Sequence, residues 1–158
     1  MKKLFSVLLT AFLVFSFSYS SASAQEKINP DSGITYKTKR LKEKIALVLK
    51  FSNLSKASYL EKLLERRLYE LKYIVENKQI AYLENSSQRY ETSAGILTEF
   101  VLAKNVKSKK EELITMFRQH QKDIEKIRDN YSYDTSEWRL VMNDFNSLEI
   151  YISKLQQL

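Results

Sequence analysis

The scarcity of glycine and proline constrains this chain more than any other feature of its sequence. Its 158 residues include two glycines, Gly33 and Gly95, and one proline, Pro30. Turns between β-strands commonly use these residues, because glycine adopts positive φ angles and proline fixes φ in a tight turn. A chain with so few of them is therefore predicted to form long helices rather than a sheet.

Apolar residues recur every three or four positions, which is the spacing of one face of a helix. The helical segments run approximately over Thr35 to Phe51, Ser55 to Asn77, Gln79 to Lys104, Ser108 to Asn130, and from the turn near Asp134 onwards. The connections between them are short, which favours antiparallel neighbours. We predict an all-α, antiparallel bundle of four to five helices with coiled-coil-like seams.

Each segment contributes one predicted seam. The seam residues are Ile34, Leu41, Ile45 and Val48; Leu60, Leu64, Leu68, Leu71 and Val75; Leu83, Tyr90, Ala94, Leu97 and Val101; Leu113, Phe117, His120, Ile124, Ile127 and Tyr131; and Trp138, Val141, Phe145, Leu148, Ile152 and Leu155. The break at Asn77-Lys78-Gln79 is weak, so the second and third helices are expected to run nearly together. Asp134 and Glu137 resemble a capping box at the start of the last helix.

The first 24 residues have the features of a cleaved signal peptide. Two lysines, Lys2 and Lys3, precede an uncharged apolar run, and Ala22-Ser23-Ala24 matches the small-residue pattern of a signal-peptidase site. The apolar run is shorter than the ~20 residues that a membrane-spanning helix needs. We therefore expect an exported bacterial protein, periplasmic or secreted, with no transmembrane segment after cleavage.

Cleavage after residue 24 divides the chain into three parts. Residues 25–34 form a leader and a helix-entry turn, and residues 35–158 form a single helical domain. Loss of the two signal-peptide lysines lowers the formal net charge from +7 to +5. This mild excess favours contact with anionic surfaces such as phospholipid or wall polymer.

A basic run follows the entry turn and consists of Lys37, Lys39, Arg40, Lys42 and Lys44. It has two interpretations: the solvated polar face of an amphipathic helix that pairs with carboxylates, or a cationic face that contacts an anionic lipid or polymer. No recognition motif for nucleic acid accompanies the charge, so nucleic acid is not an expected partner.

Two stretches carry a family resemblance: "PDSGITYKTKRLKEKI" and "LEKLLERRLYELKYIV". A Pro-Asp-Ser turn, an aromatic residue, a Lys-Arg…Glu-Lys helix and a Glu-Arg-Arg-Leu…Glu-Leu helix together resemble the bacterial domain-of-unknown-function family 5667. The matching positions are Pro30, Asp31, Ser32, Tyr36, Lys39, Arg40, Glu43, Lys44, Glu65, Arg66, Arg67, Leu68, Glu70 and Leu71. The resemblance implies an all-helical extracytoplasmic module without implying an activity.

Two of these features also have a local physical interpretation. The Pro30 turn introduces the first helix, with Asp31, Ser32 or Thr35 available as a cap. Arg67 directly precedes a seam leucine, so we expect its guanidinium to form an internal salt bridge with Glu70 or with a carboxylate of a neighbouring helix.

No catalytic, cofactor or metal site is expected. The chain has no cysteine and no glycine-rich phosphate loop. Its single histidine, His120, lies on a predicted seam and is expected to be a partly buried core or interface residue. Carboxylates such as Glu61 and Glu65 lie among lysines and arginines and are interpreted as solvated helix faces.

The expected function is therefore a non-catalytic binding or structural module of the cell envelope. Its partner would be a protein, an anionic envelope component or a second copy of the chain. The alternative is a periplasmic helical protein that acts as a chaperone or stress sensor. An exposed row of tyrosines would mark a partner-binding face, because tyrosine is enriched in interfaces.

Overall fold

A computed structural model describes Pro30 and residues 33–158, which form five α-helices and no strand. The helices are α1, Ile34–Val48; α2, Asn53–Glu76; α3, Leu83–Ala103; α4, Lys110–Arg128; and α5, Ser136–Gln156. Short 3-10 helices, Ile80–Tyr82 and Lys107–Lys109, precede α3 and α4. The predicted all-α fold is confirmed. The predicted signal peptide, residues 25–29, Asp31 and Ser32 lie outside the described residues.

Helices α2 to α5 form the body of the bundle, and α1 lies against α2. Lys110, at the start of α4, donates a hydrogen bond to the backbone carbonyl of Gln156, at the end of α5. These two helices are therefore antiparallel. Two contacts give the relative direction of α3 and α5: Ser147 donates to Glu91 at 2.7 Å, and Lys154 pairs with Glu99 at 2.7 Å. The residue numbers rise on both helices from the first contact to the second. The α2–α3 and α4–α5 hairpins therefore pack with α3 parallel to α5. No described helix is both long and apolar enough to cross a membrane.

The seams predicted for α2 to α5 meet in one hydrophobic core. Most of their members are buried, and those among the largest fully buried side chains of the bundle include Leu64, Leu71, Tyr90, Phe117 and Leu148. Four predicted seam residues are only half-buried: Val75, Tyr131, Trp138 and Phe145. The three-four spacing thus identified the core-facing side of four helices.

The seam predicted for α1 is wrong. Its four residues face solvent, with exposed fractions of 80% for Ile34, 58% for Leu41, 53% for Ile45 and 77% for Val48. The side of α1 that packs on α2 instead carries Glu43, which is 4% exposed. Charged partners on α2 hold this polar side inward, as described below, so α1 presents its apolar side outward. We call these four residues the outward stripe.

The break between α2 and α3 is sharper than the sequence indicates. Lys78 adopts a positive φ of 54°, and the backbone N–H of Gln79 donates to the carbonyl of Ile74 at 2.9 Å. This bonding is that of a Schellman cap, which satisfies the last carbonyls of a helix. A similar cap with Asn105 at φ 49° ends α3. The two helices that were expected to run nearly together are therefore separate.

The capping box expected for α5 is replaced by a different cap. Thr135 is the N-cap residue, and its hydroxyl accepts from the backbone N–H of Trp138 at 3.2 Å. Asp134 adopts φ 66° and binds the guanidinium of Arg139 through two hydrogen bonds of 2.7 Å. Arg139 therefore takes the carboxylate that the sequence assigned to helix capping.

The start of α1 also differs from the expectation. The helix begins at Ile34, and its N-cap position is Gly33 at φ 63°, a conformation that costs glycine little because it has no Cβ. No side chain caps the helix at this residue. Thr35, a predicted capping residue, lies inside the helix instead.

Candidate functional site

A buried cluster of charges joins α1 to α2. Arg67 of α2 is 0% exposed, and its guanidinium donates to Glu43 of α1 and to Glu70 of α2. Glu43 also accepts from Arg40 at 3.0 Å and from Arg66 at 2.9 Å. Arginine suits this position because its planar fork bridges two carboxylates at once. The expected Arg67–Glu70 salt bridge is present.

Through Glu70, the cluster extends towards the N-terminal end of α1. This carboxylate accepts from Lys39 at 3.0 Å and from the Tyr36 hydroxyl at 3.2 Å. The Tyr36 ring lies 5.1 Å from the guanidinium carbon of Arg89 on α3, which places a cation over an aromatic face. We call the set of Tyr36, Lys39, Arg40, Glu43, Arg66, Arg67 and Glu70 the charge network.

The opposite charges in this network keep one another ionised although they are buried. Burial opposes the charge of Glu70, but Arg67 and Lys39 outweigh it and hold the pKa of Glu70 below its usual value. Burial likewise opposes the charge of Arg67, while Glu70 and Glu43 keep its pKa above the usual value. The central pair is therefore ionised at neutral pH, and it binds α1 to α2 by charge-assisted hydrogen bonds.

The positions that carry the family resemblance converge on this network. All seven network residues are among them, whereas Glu65 and Lys44 of the same signature are exposed. Pro30 is buried. The sequence indicated the Arg67–Glu70 pair because both residues lie on α2, three positions apart. The sequence indicated that Glu43 pairs with the basic run, as it does with Arg40, but it did not identify the partners of Glu43 on α2.

The basic run of α1 is divided between two environments. Lys39 and Arg40 belong to the charge network, whereas Lys37, Lys42 and Lys44 are exposed. At about 100° of rotation per residue, Lys37 and Lys44 lie along one edge of the outward stripe and Lys42 along the other. We call these three residues the flanking lysines. The outer surface of α1 is thus apolar in the middle and cationic on both edges.

Further exposed apolar residues follow the end of α1 in the chain. Leu49, Phe51 and Leu54 are exposed, and Phe51 is 96% exposed. A shallow depression of about 400 Å³ lies along the Lys37 edge and is lined by Tyr36, Lys37, Arg40, Leu41 and Lys44. The outer surface of α1 is therefore the candidate functional site, and the charge network is its support.

A second polar cluster lies inside the bundle, between α3, α4 and α5. The Tyr90 hydroxyl is 3.0 Å from Nδ1 of His120, and burial lowers the pKa of His120 to about 4. His120 is therefore a neutral core residue at neutral pH, in agreement with its predicted seam position. Among the described residues, no group of three or more His, Cys, Asp or Glu side chains is arranged to hold a metal ion.

Asp144 of α5 is the most unusual member of this region. It is 1% exposed, and the Ser87 side chain interacts with its carboxylate without the geometry of a standard hydrogen bond. Burial raises its pKa to about 8, with Ser87 opposing the shift and Glu91 adding to it. Asp144 is therefore protonated in the folded protein at neutral pH.

Glu61, interpreted from the sequence as solvated, is also buried and binds Lys109 at 2.8 Å.

The buried Asp144 predicts a pH-dependent stability above pH 6.5. The folded protein holds the Asp144 proton up to about pH 8, whereas the unfolded chain loses it near pH 3.8, so stability falls as pH rises between these values. His120 has the opposite effect, mainly between about pH 4 and 6.5. Between pH 6.5 and 8 the free energy of unfolding should therefore fall by about 1.3 kcal/mol, after a small opposing contribution from His120.

Urea denaturation at several pH values measures this effect, and Asp144→Asn is the test variant. Asparagine has nearly the same shape as aspartate but does not titrate. The free energy of unfolding of the variant should therefore not fall between pH 6.5 and 8. A variant that retains the decline would show that another group causes it.

Comparison with known proteins adds one finding. No curated protein and no solved structure shows a significant match to the chain. One family model, a domain of unknown function, matches residues 27–133. This range includes α1 to α4 and the whole charge network, and it ends before α5. It also extends beyond the two stretches from which the resemblance was inferred. The chain belongs to the domain-of-unknown-function family DUF5667.

Proposed function

We propose that this protein is a non-catalytic binding module of the cell envelope and that the outward stripe of α1 is its contact surface. One observation carries the proposal: an amphipathic helix is fixed with its apolar side outward. Burying the stripe against α2 would require α1 to rotate and expose Glu43, which would leave Arg67 without one of its two carboxylates. Exposed apolar patches of this kind commonly mark interaction sites.

The charge network supports a binding role because it organises the surface in advance. The network holds α1 against α2 at two places along the helix, through Glu43 and through Lys39 and Tyr36. A partner would then meet a preformed surface and would not have to order it, which favours affinity. The ionised groups of the network are engaged with one another, which supports a positioning role rather than a catalytic one.

Location at the envelope is supported by the predicted signal peptide and by the basic character of the chain, with a sequence pI of about 9.4. Envelope surfaces rich in phosphate attract such a protein over distances of about a Debye length. Export brings the outward stripe to those surfaces.

Co-sedimentation with a purified bacterial envelope fraction tests the proposal. Leu41→Gln/Ile45→Gln removes the centre of the stripe and should weaken binding at least about tenfold, because apolar contact is lost from the middle of the surface. The matched control, Ile96→Gln/Ile150→Gln, changes two isoleucines of similar exposure on α3 and α5. Equal binding by both variants would refute the proposal.

A chaperone role is the second candidate, because the outward stripe could also hold an unfolded client. Its distinguishing property is activity towards unrelated proteins. If this role is correct, the wild-type protein should suppress aggregation of a heat-denatured test protein, and Leu41→Gln/Ile45→Gln should not. Absence of suppression, combined with stripe-dependent envelope binding, would leave the binding module as the remaining candidate.

A further inference from the structure

We infer that the outward stripe binds the surface of an anionic phospholipid bilayer, with α1 lying in the plane of the headgroups. This inference rests on the proposed function and names its partner. A helix that lies in a membrane interface has an apolar side that enters the acyl boundary and a polar side rich in lysine and arginine. The outer surface of α1 has both features, and the bundle beneath it remains in water.

The position of the flanking lysines fits this orientation. Lys37 and Lys44 border one edge of the stripe and Lys42 borders the other, and all three are exposed. A lysine at the edge of an immersed stripe extends its aliphatic stem along the apolar surface and places its ammonium among the phosphates. Lipid contact therefore satisfies the stripe and the lysines together.

The end of α1 adds apolar surface for the same contact. Leu49 and Phe51 follow the helix directly, and the Phe51 side chain is almost fully exposed. Leu54, in the first turn of α2, is also exposed. These residues would deepen the insertion at the C-terminal end of α1, where the chain turns back into the bundle.

The combination of an apolar centre and cationic edges distinguishes lipid from other envelope components. An anionic wall polymer would pair with the flanking lysines but would leave the outward stripe in water. A bilayer with anionic headgroups supplies both an apolar interior and phosphates. The depression along the Lys37 edge also brings Lys37 and Lys44 together, which suits a phosphate headgroup.

A second copy of the chain fits this surface poorly. In a symmetric dimer the same surface meets itself, so the lysines on one stripe would approach those on the other. Like charges brought together at an interface weaken association and disfavour that partner. The charge network cannot relieve this repulsion, because Glu43 and Glu70 are buried where α1 packs on α2.

Vesicle sedimentation with the mature full-length protein tests the inference. Phosphatidylcholine vesicles with and without phosphatidylglycerol are the probes. Wild-type protein should bind only the anionic vesicles. Lys37→Gln/Lys42→Gln/Lys44→Gln should weaken binding about 100-fold, because each basic side chain near an anionic surface strengthens binding severalfold. Leu41→Gln/Ile45→Gln should weaken it at least about tenfold.

Two controls accompany these variants. Lys62→Gln/Lys104→Gln/Lys122→Gln removes three exposed lysines outside α1 and should reduce binding by a small factor only, because it changes net charge without changing the site. Circular dichroism should show unchanged helix content in every variant, since all the substituted side chains are exposed.

The outcomes separate the inference from the proposed function. Stripe-dependent binding to the envelope fraction without binding to anionic vesicles would overturn the lipid assignment and leave the binding module intact. Failure to bind either material would overturn both. Vesicle binding that ignores the stripe substitutions, or that the control lysines weaken equally, would show a diffuse electrostatic attraction and overturn the inference. A wild-type dimer that Leu41→Gln/Ile45→Gln converts to a monomer would overturn it as well.

Discussion

Replacing Arg67 with methionine is expected to lower the free energy of unfolding by about 3–5 kcal/mol. The substitution preserves much of the side-chain volume but leaves Glu43 and Glu70 buried without their shared cation. Leaving two buried carboxylates without this partner destabilises the folded state, because burial disfavours their charged forms. The penalty arises from the charges left behind rather than from lost packing.

Urea denaturation followed by circular dichroism measures this effect, with Arg118→Met as the control. Arg118 is an exposed arginine of α4, so its loss should change the free energy of unfolding by no more than about 0.5 kcal/mol. The triple variant Glu43→Gln/Arg67→Met/Glu70→Gln removes the carboxylate charges as well and should recover a large part of the loss. Equal values for Arg67→Met and Arg118→Met would contradict the network described above.

A pair of leucines that look alike in the sequence should behave differently. Leu64 and Leu41 both lie on predicted seams, but Leu64 is fully buried in the core and Leu41 faces solvent. Leu64→Ala should lower the free energy of unfolding by about 2–5 kcal/mol, because the removed side chain leaves a cavity. Leu41→Ala should change it by no more than about 0.5 kcal/mol.

The same denaturation experiment compares both variants under identical conditions. Phe145→Ala is expected to fall between them, because Phe145 is half-buried against the core. A cost for Leu41→Ala as large as that for Leu64→Ala would mean that α1 buries its apolar side after all. That result would remove the candidate site.

The sequence predicts the core of this bundle well because four of its helices bury the apolar side that their periodicity defines. Leu64, Phe117 and Leu148 lie where the three-four spacing places them. Periodicity identifies which side of a helix is apolar but does not identify what that side meets. In α1 the opposite side binds Arg67, so the same pattern marks an exposed surface instead of a seam.

The candidate site could be predicted only in part, for the same reason. The basic run was evident, as was an internal partner for Arg67. Which cations remain free depends on contacts between helices, and these contacts withdraw Lys39 and Arg40 from the surface. The buried Asp144 was missed although it lies three residues after Val141 and four before Leu148, because the neighbouring Phe145 was assigned to the seam instead.

The central claim is that the outward stripe of α1 enters an anionic bilayer, and a fluorescent label at position 45 tests it most directly. The chain has no cysteine, so Ile45→Cys and the control Ile96→Cys can each be labelled at one site with an environment-sensitive dye. With phosphatidylglycerol vesicles, the dye at position 45 should shift to shorter wavelength and brighten, while the dye at position 96 should not change. Vesicle binding that leaves the dye at position 45 in a water-like environment would contradict the claim.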